Sequence, residues 1–216
     1  MQQDQKYYSY DGVKTMNYTR RNLIGISFLQ NPPTSLRQLP TKDKHCHFIG
    51  RARESEPFYI PAEKISCPLA KFHLGIEKTD LKSLAETLVS WTDAVDQKTG
   101  LKFLNSAYRM NQRYEYIAYF TYPANSIKPN VIVRICNPQE IQQIVQRYSS
   151  LTGQRVDSPI SGIGAACGEC TAYVLMRGLP VVSVGCNGSR PGINLRDGEL
   201  LLAAPFNSKM SRLMIG

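Results

Sequence analysis

A chain of 216 residues can form one large domain or two small ones, and 42% apolar with 20% charged residues excludes wholesale disorder. No stretch approaches the roughly 18 to 20 apolar residues of a membrane helix, and residues 1–30 lack the apolar core and small-residue cleavage site of a secretory leader. Lys and Arg number 26 against 17 Asp and Glu, a net charge of +9, but the basic residues are scattered. A soluble, cytoplasmic protein with a basic, solvated surface is expected. Nucleic acid is the secondary reading, because the densest basic pairs carry no docking motif.

Residues 1–21 are polar and tyrosine-rich and read as an N-terminal arm. Asn22 to Leu29 reads as a buried strand closed by Asn31-Pro32-Pro33. Alternation would place His45 and His47 on one strand face and Cys46 on the other. Leu81, Leu84, Leu88 and Trp91 recur at helical spacing, and the helical pattern continues from Leu101 to Met110. Glu115 to Tyr122 and Val131 to Cys136 are strands. Asn137-Pro138 offers an N-cap and first helical residue, with Ile141, Ile144, Val145 and Tyr148 on one face and Gly153 as the stop. The glycine-rich run from Ser161 opens a helix that carries Cys167 and ends at Gly178. A strand at 181–186 and an apolar run at 200–204 follow. No long linker divides residues 22–216, so the fold class is α/β, with α+β as the alternative: one compact domain of mixed sheet and helices.

Six cysteines occur, and an intracellular chain of this size needs no disulfides to supply a core. Cys136 ends a β-branched strand and reads as a small buried hydrophobe. Most of the others lie beside glycine or proline: Ser66-Cys67-Pro68, Gly164-Ala-Ala-Cys167-Gly-Glu-Cys170 and Gly185-Cys186-Asn-Gly188-Ser-Arg190. Such neighbours let the backbone approach a cluster or metal closely. Cys46 and Cys67 are 21 positions apart and Cys167 and Cys186 are 19 apart. Each pair reads as cysteine, short helix, turn, extended segment, cysteine. A degenerate duplication would bring two cysteines from each half to one shared site.

Three chemistries compete for these thiols. A redox dithiol at Cys167 and Cys170 comes late in the chain for a thioredoxin-like motif. Structural zinc prefers two close-spaced pairs, whereas one is present. An iron–sulfur cluster takes thiolates scattered through a fold, which makes a cluster, most simply 4Fe–4S, the leading expectation and zinc the alternative cofactor. Cys46, Cys67, Cys167 and Cys186 are the expected ligands, with Cys170 as the rival to Cys46. Gly164, Gly188 and Arg190 are expected around the site, where a glycine-rich turn and a guanidinium can hold an anion. Glu169 is a candidate proton carrier if its surroundings are dry. The expected partners are a redox protein or a small anionic ligand, with a homo-oligomer left open. The competing function is an anion-binding or small-molecule-binding module with structural or zinc-bound cysteines.

The blocks Lys128-Pro-Asn-Val-Ile-Val, Gly164-Ala-Ala-Cys167, Gly185-Cys-Asn-Gly-Ser-Arg190 and Asp197-Gly-Glu-Leu resemble the uncharacterised ArCR family, as does Cys67-Pro-Leu-Ala-Lys-Phe-His-Leu-Gly75. The resemblance covers about residues 22–215. It implies a setting in archaea and anaerobic bacteria and a pattern that includes Cys46, Cys67, Cys167, Cys186, Gly188 and Arg190 but not Cys136 or Cys170. It implies no particular reaction.

Overall fold

A computed structural model describes residues 22–92, 95–124 and 127–215, so the expected arm at 1–21 lies outside the described residues. A seven-stranded mixed sheet forms the centre, in the order β2-β3-β4-β1-β5-β7-β6. The strands are β1 (Leu23–Leu29), β2 (Arg37–Gln38), β3 (Phe58–Pro61), β4 (Tyr116–Thr121), β5 (Val131–Cys136), β6 (Val181–Ser183) and β7 (Leu200–Pro205). Only the β2–β3 pair among these is parallel.

The two halves follow one path. In the first, β1 leads to helix α1 (His45–Ala52), then β3, Cys67, the short helix α2 (Pro68–His73) and finally β4. In the second, β5 leads to a π-helix (Ala165–Tyr173), then β6, Cys186, the short helix α7 (Ser189–Ile193) and β7. In each half the last strand inserts between the other two, giving β3-β4-β1 beside β5-β7-β6. The halves meet where β1 and β5 pair antiparallel. The cysteine spacings thus reflect a repeated local path. Additions distinguish the halves: β2, α3 (Leu81–Trp91) and α4 (Gln97–Ser106) in the first, and α5 (Pro138–Thr152), α6 (Val174–Arg177) and α8 (Lys209–Ile215) in the second.

Side-chain alternation on the central strands sets the layers. Val131, Val133 and Ile135 of β5 join Ile24, Ile26, Leu201 and Ala203 under the cysteine-bearing helices. Ile132 and Cys136 face the other way, against α5 and α8, so Cys136 is core and far from the thiol site. Phe48, Phe58 and Tyr119 stack at centroid distances of 5.5 and 5.6 Å and lock α1 to β3 and β4.

Two sequence expectations are corrected. His45–Ala52 is a helix, so His45 and His47 share no strand face. Its buried residues His45, Phe48, Ile49 and Ala52 have helical spacing, which outweighs a two-residue alternation. The segment after α3 is a separate helix that starts earlier, at Gln97, because Asp96 caps it, and ends at Ser106.

α1 and α7 approach so closely that a Cβ on Gly50 would lie 2.2 Å from the Gly192 carbonyl oxygen. On an isolated helix, Gly→Ala gains about 1 kcal/mol. Here the clash is with backbone that cannot rotate away, and overpacking of this kind costs about 1–3 kcal/mol. Gly50→Ala is therefore expected to lower the urea midpoint. A raised midpoint would show that α1 and α7 can separate freely.

Candidate functional site

Cys46, Cys67, Cys167 and Cys186 all line one cavity of about 470 Å³, together with Gly164 and Gly188. Each thiol stands at the start of a helix. Cys46 is in the first turn of α1, whose N-cap is Lys44. Cys67 is itself the N-cap of α2, with Pro68 pre-set for the first turn. Cys167 lies in the first turn of the π-helix, after Gly164 in the left-handed region at φ 66°. Cys186 precedes α7 and accepts a hydrogen bond from the Ser189 amide, N to Sγ 3.3 Å.

These four helices have no side-chain cap at their starts. The contrast with α3, α4 and α5 is sharp. There Asp80, Asp96 and Asn137 accept from the amides of Lys82, Thr99 and Glu140 at 3.0, 2.7 and 2.9 Å. A helix start leaves amide donors without intrahelical partners. At α7 the acceptor is a sulfur, since Cys186 Sγ takes the Ser189 amide. No carboxylate is among the described residues that line the cavity, and Lys44 is the charged side chain there.

The thiols also sense one another. Burial, reinforced by the proximity of Cys186 and Cys67 and opposed by Lys44, pushes Cys46 up to about 12. Burial likewise holds Cys167 well above its ordinary value, reinforced by Cys67, Cys186 and Cys46. Without a cation these two sulfurs remain thiols, and Cys46 and Cys167 point S–H groups at the carbonyls of Gly188 and Gly164, 3.4 and 3.6 Å away. A bound cation reverses that preference, because metal binding displaces the thiol protons. Among the described residues no set of three or more Cys, His, Asp or Glu is placed to hold a single metal ion.

A chain of hydrogen bonds fixes α1 against the π-helix. Thr171 gives its hydroxyl proton to the Ala166 carbonyl at 2.7 Å, so its oxygen accepts from His45 Nε2–H at 3.1 Å. His45 Nδ1 is then an acceptor and receives the Tyr119 hydroxyl at 2.8 Å. Burial lowers His45 to about 3, which keeps the ring neutral and this direction of donors in place.

His73 supports the other side of the π-helix start. Its Nδ1–H donates to the Tyr108 carbonyl at 2.6 Å, and Nε2 is buried without a hydrogen-bond partner. The backbone of the glycine turn rests on the imidazole: a Cβ on Gly164 would lie 2.6 Å from Nε2, and one on Gly168 2.7 Å from Cε1. Sequence reasoning missed this role, although the two glycines flanking Cys167 were a visible sign of a close approach.

The remaining residues lie apart from the cavity. Cys170 is fully buried and does not line it. A π-helix turns less per residue than an α-helix, so three positions no longer return Cys170 to the face of Cys167. Glu169 is fastened by Ser161, whose amide and hydroxyl donate at 2.7 and 2.8 Å, and by the Ser183 hydroxyl. It pins the glycine turn to β6. Arg190 directs its guanidinium to the carbonyls of Val184, Glu199 and Arg196, at 2.9, 3.2 and 3.0 Å. It clamps the loop after Cys186 and is not a lining residue. His47 pairs with Asp43 at 2.7 Å on the surface of α1.

With this geometry in hand, the family model described as Uncharacterised ArCR matches residues 14–212. The chain belongs to the uncharacterised ArCR family. The match begins within the segment assigned to the arm and takes in both cysteine-bearing halves. An uncharacterised protein of Methanocaldococcus jannaschii is 25% identical over 176 residues, covering 80% of this chain and 76% of that protein. No solved structure matches the ArCR chain. No helix of the described residues is long and apolar enough to cross a membrane.

The support network generates two expectations. Thr171→Val removes the acceptor for His45 and the bond to Ala166, and a broken buried pair costs about 1–3 kcal/mol. The thermal midpoint is expected to fall by several degrees, and an unchanged midpoint would show the chain to be idle. Burial lowers His73 to about 4 in the fold, against 6.5 for the free side chain. The unfolded chain then binds more protons between those values, so stability is complete above pH 6.5 and is lost as pH falls toward 4. Between pH 7 and pH 5 the loss from His73 is about 2 kcal/mol. His45, also lowered by burial, adds a loss of similar size. Urea denaturation at the two pH values measures the sum, and His73→Gln should remove about half of the dependence.

Proposed function

We propose that this ArCR protein holds an iron–sulfur cluster, of the 4Fe–4S type, on Cys46, Cys67, Cys167 and Cys186. The observation that carries this reading is the convergence of two thiols from each half on one cavity, at four helix starts without side-chain caps. Thiolates are the normal ligands of such clusters, and cluster sulfides accept amide hydrogen bonds. Each ligand of a cubane binds its own iron, so the sulfurs stand further apart than the donors around one ion. Zinc would need four donors drawn around one centre at about 2.3 Å.

When bound on four thiolates, the cluster would supply one-electron chemistry. The chain's own residues hold the thiolates at helix starts, keep carboxylates off the cavity wall and place Lys44 as a positive charge near Cys46. This fits a cytoplasmic protein of anaerobic cells that carries electrons to a partner or acts on a small molecule.

Anaerobic reconstitution followed by iron and acid-labile sulfide assays tests the reading. Cys→Ser at position 46, 67, 167 or 186 should reduce both to a small fraction of the native content. Cys136→Ser and Cys170→Ser should retain them. Stoichiometric zinc in a colourless protein would overturn the proposal, and loss in Cys170→Ser with retention in Cys46→Ser would reassign the ligands.

A further inference from the structure

The cavity is more than a nest for the thiols. Its far wall is built by Leu88 and Trp91 on one face of α3, with Leu69 of α2 and Ile163 of the glycine turn. α3 belongs to the α3–α4 addition, which has no equivalent in the second half. The thiols therefore occupy the part of the cavity common to both halves, and the apolar wall is specific to one side.

Burial along this wall gives it a direction. Leu88 and Leu69 are 2% and 5% exposed, whereas Trp91 is 47% exposed, an unusual degree for the chain's single tryptophan. Lys44, also on the lining, is exposed and makes no ion pair with the described residues. The inner end is thus apolar, and the outer end offers an indole face and a free ammonium. No described carboxylate lies on the lining to repel an anion.

We infer that the cavity, beside the cluster proposed above, binds a small carboxylic acid with a flat apolar body. The body inserts between Leu69, Leu88 and Ile163, and the carboxylate meets Lys44 at the mouth, next to Trp91. Apolar walls supply affinity through burial, and one well-placed cation selects the acid over its neutral counterpart. This inference rests on the cluster reading for its chemical purpose but not for its binding geometry.

Trp91 is a built-in reporter. Phenylacetate titrated into the anaerobically reconstituted full chain should change tryptophan emission saturably, with benzyl alcohol as the neutral probe. Lys44→Met, at an exposed position, should weaken phenylacetate binding about tenfold and leave benzyl alcohol unchanged. Ile163→Gln should weaken both. No saturable change with phenylacetate, or equal affinity in Lys44→Met, would overturn the inference. Iron and sulfide measured on the same samples separate the two readings. A cluster-loaded protein with no response loses the subsite alone, whereas a response in a protein that takes up no iron retains the subsite and loses the cluster.

Discussion

Four helix starts whose N-cap residues make no side-chain cap bond open onto one cavity, and the rest of the structure is arranged to keep them there. Unpaired amide donors away from water are costly unless something accepts from them. Elsewhere in the chain Asp80, Asp96 and Asn137 meet that need. At the cavity the residue in the capping region is a cysteine, whose sulfur is a weak acceptor as a thiol and a strong one as a thiolate. The same exchange explains the raised values of Cys46 and Cys167. Burial and mutual repulsion disfavour bare thiolates, while an iron core would supply the missing positive charge and stabilise all of them together.

The repeated strand order explains how distant segments reach one place. Each half delivers one cysteine on a helix and one after the outer strand of its three, β3 or β6, and the halves join through β1 and β5. Close contacts then fix the relative positions. Gly50 and Gly192 let α1 and α7 touch, Gly164 and Gly168 rest on His73, and the Tyr119–His45–Thr171 chain ties α1 to the π-helix. None of these groups need touch a cluster. They determine where the four sulfurs stand.

Much of this was legible in the sequence, for identifiable reasons. The Asn137-Pro138 start and Gly153 stop of α5 are local signals, and the capping box with Glu140 bears them out. Val131–Cys136 carries its strand character in β-branched residues. The spacings of 21 and 19 anticipated the shared path of the halves, and the four cysteines they singled out line one cavity. What stayed hidden depends on tertiary contact. α2 and α7 are too short to show a periodicity, and the π-helical winding that separates Cys170 from Cys167 has no sequence period of its own. Arg190 looked suited to an anion, but three backbone carbonyls fix it as a loop clamp. Lys44 and the α3 wall carried no motif, since only the fold brings them into one cavity with the thiols.

The central claim is that four thiolates share one multi-iron centre. X-ray absorption at the iron edge, on anaerobically reconstituted protein, addresses it most directly. The account predicts iron surrounded by sulfur alone, with a second shell of short iron–iron scattering from a cubane. Iron with nitrogen or oxygen neighbours and no iron–iron shell would contradict it, as would a protein that takes up zinc and excludes iron.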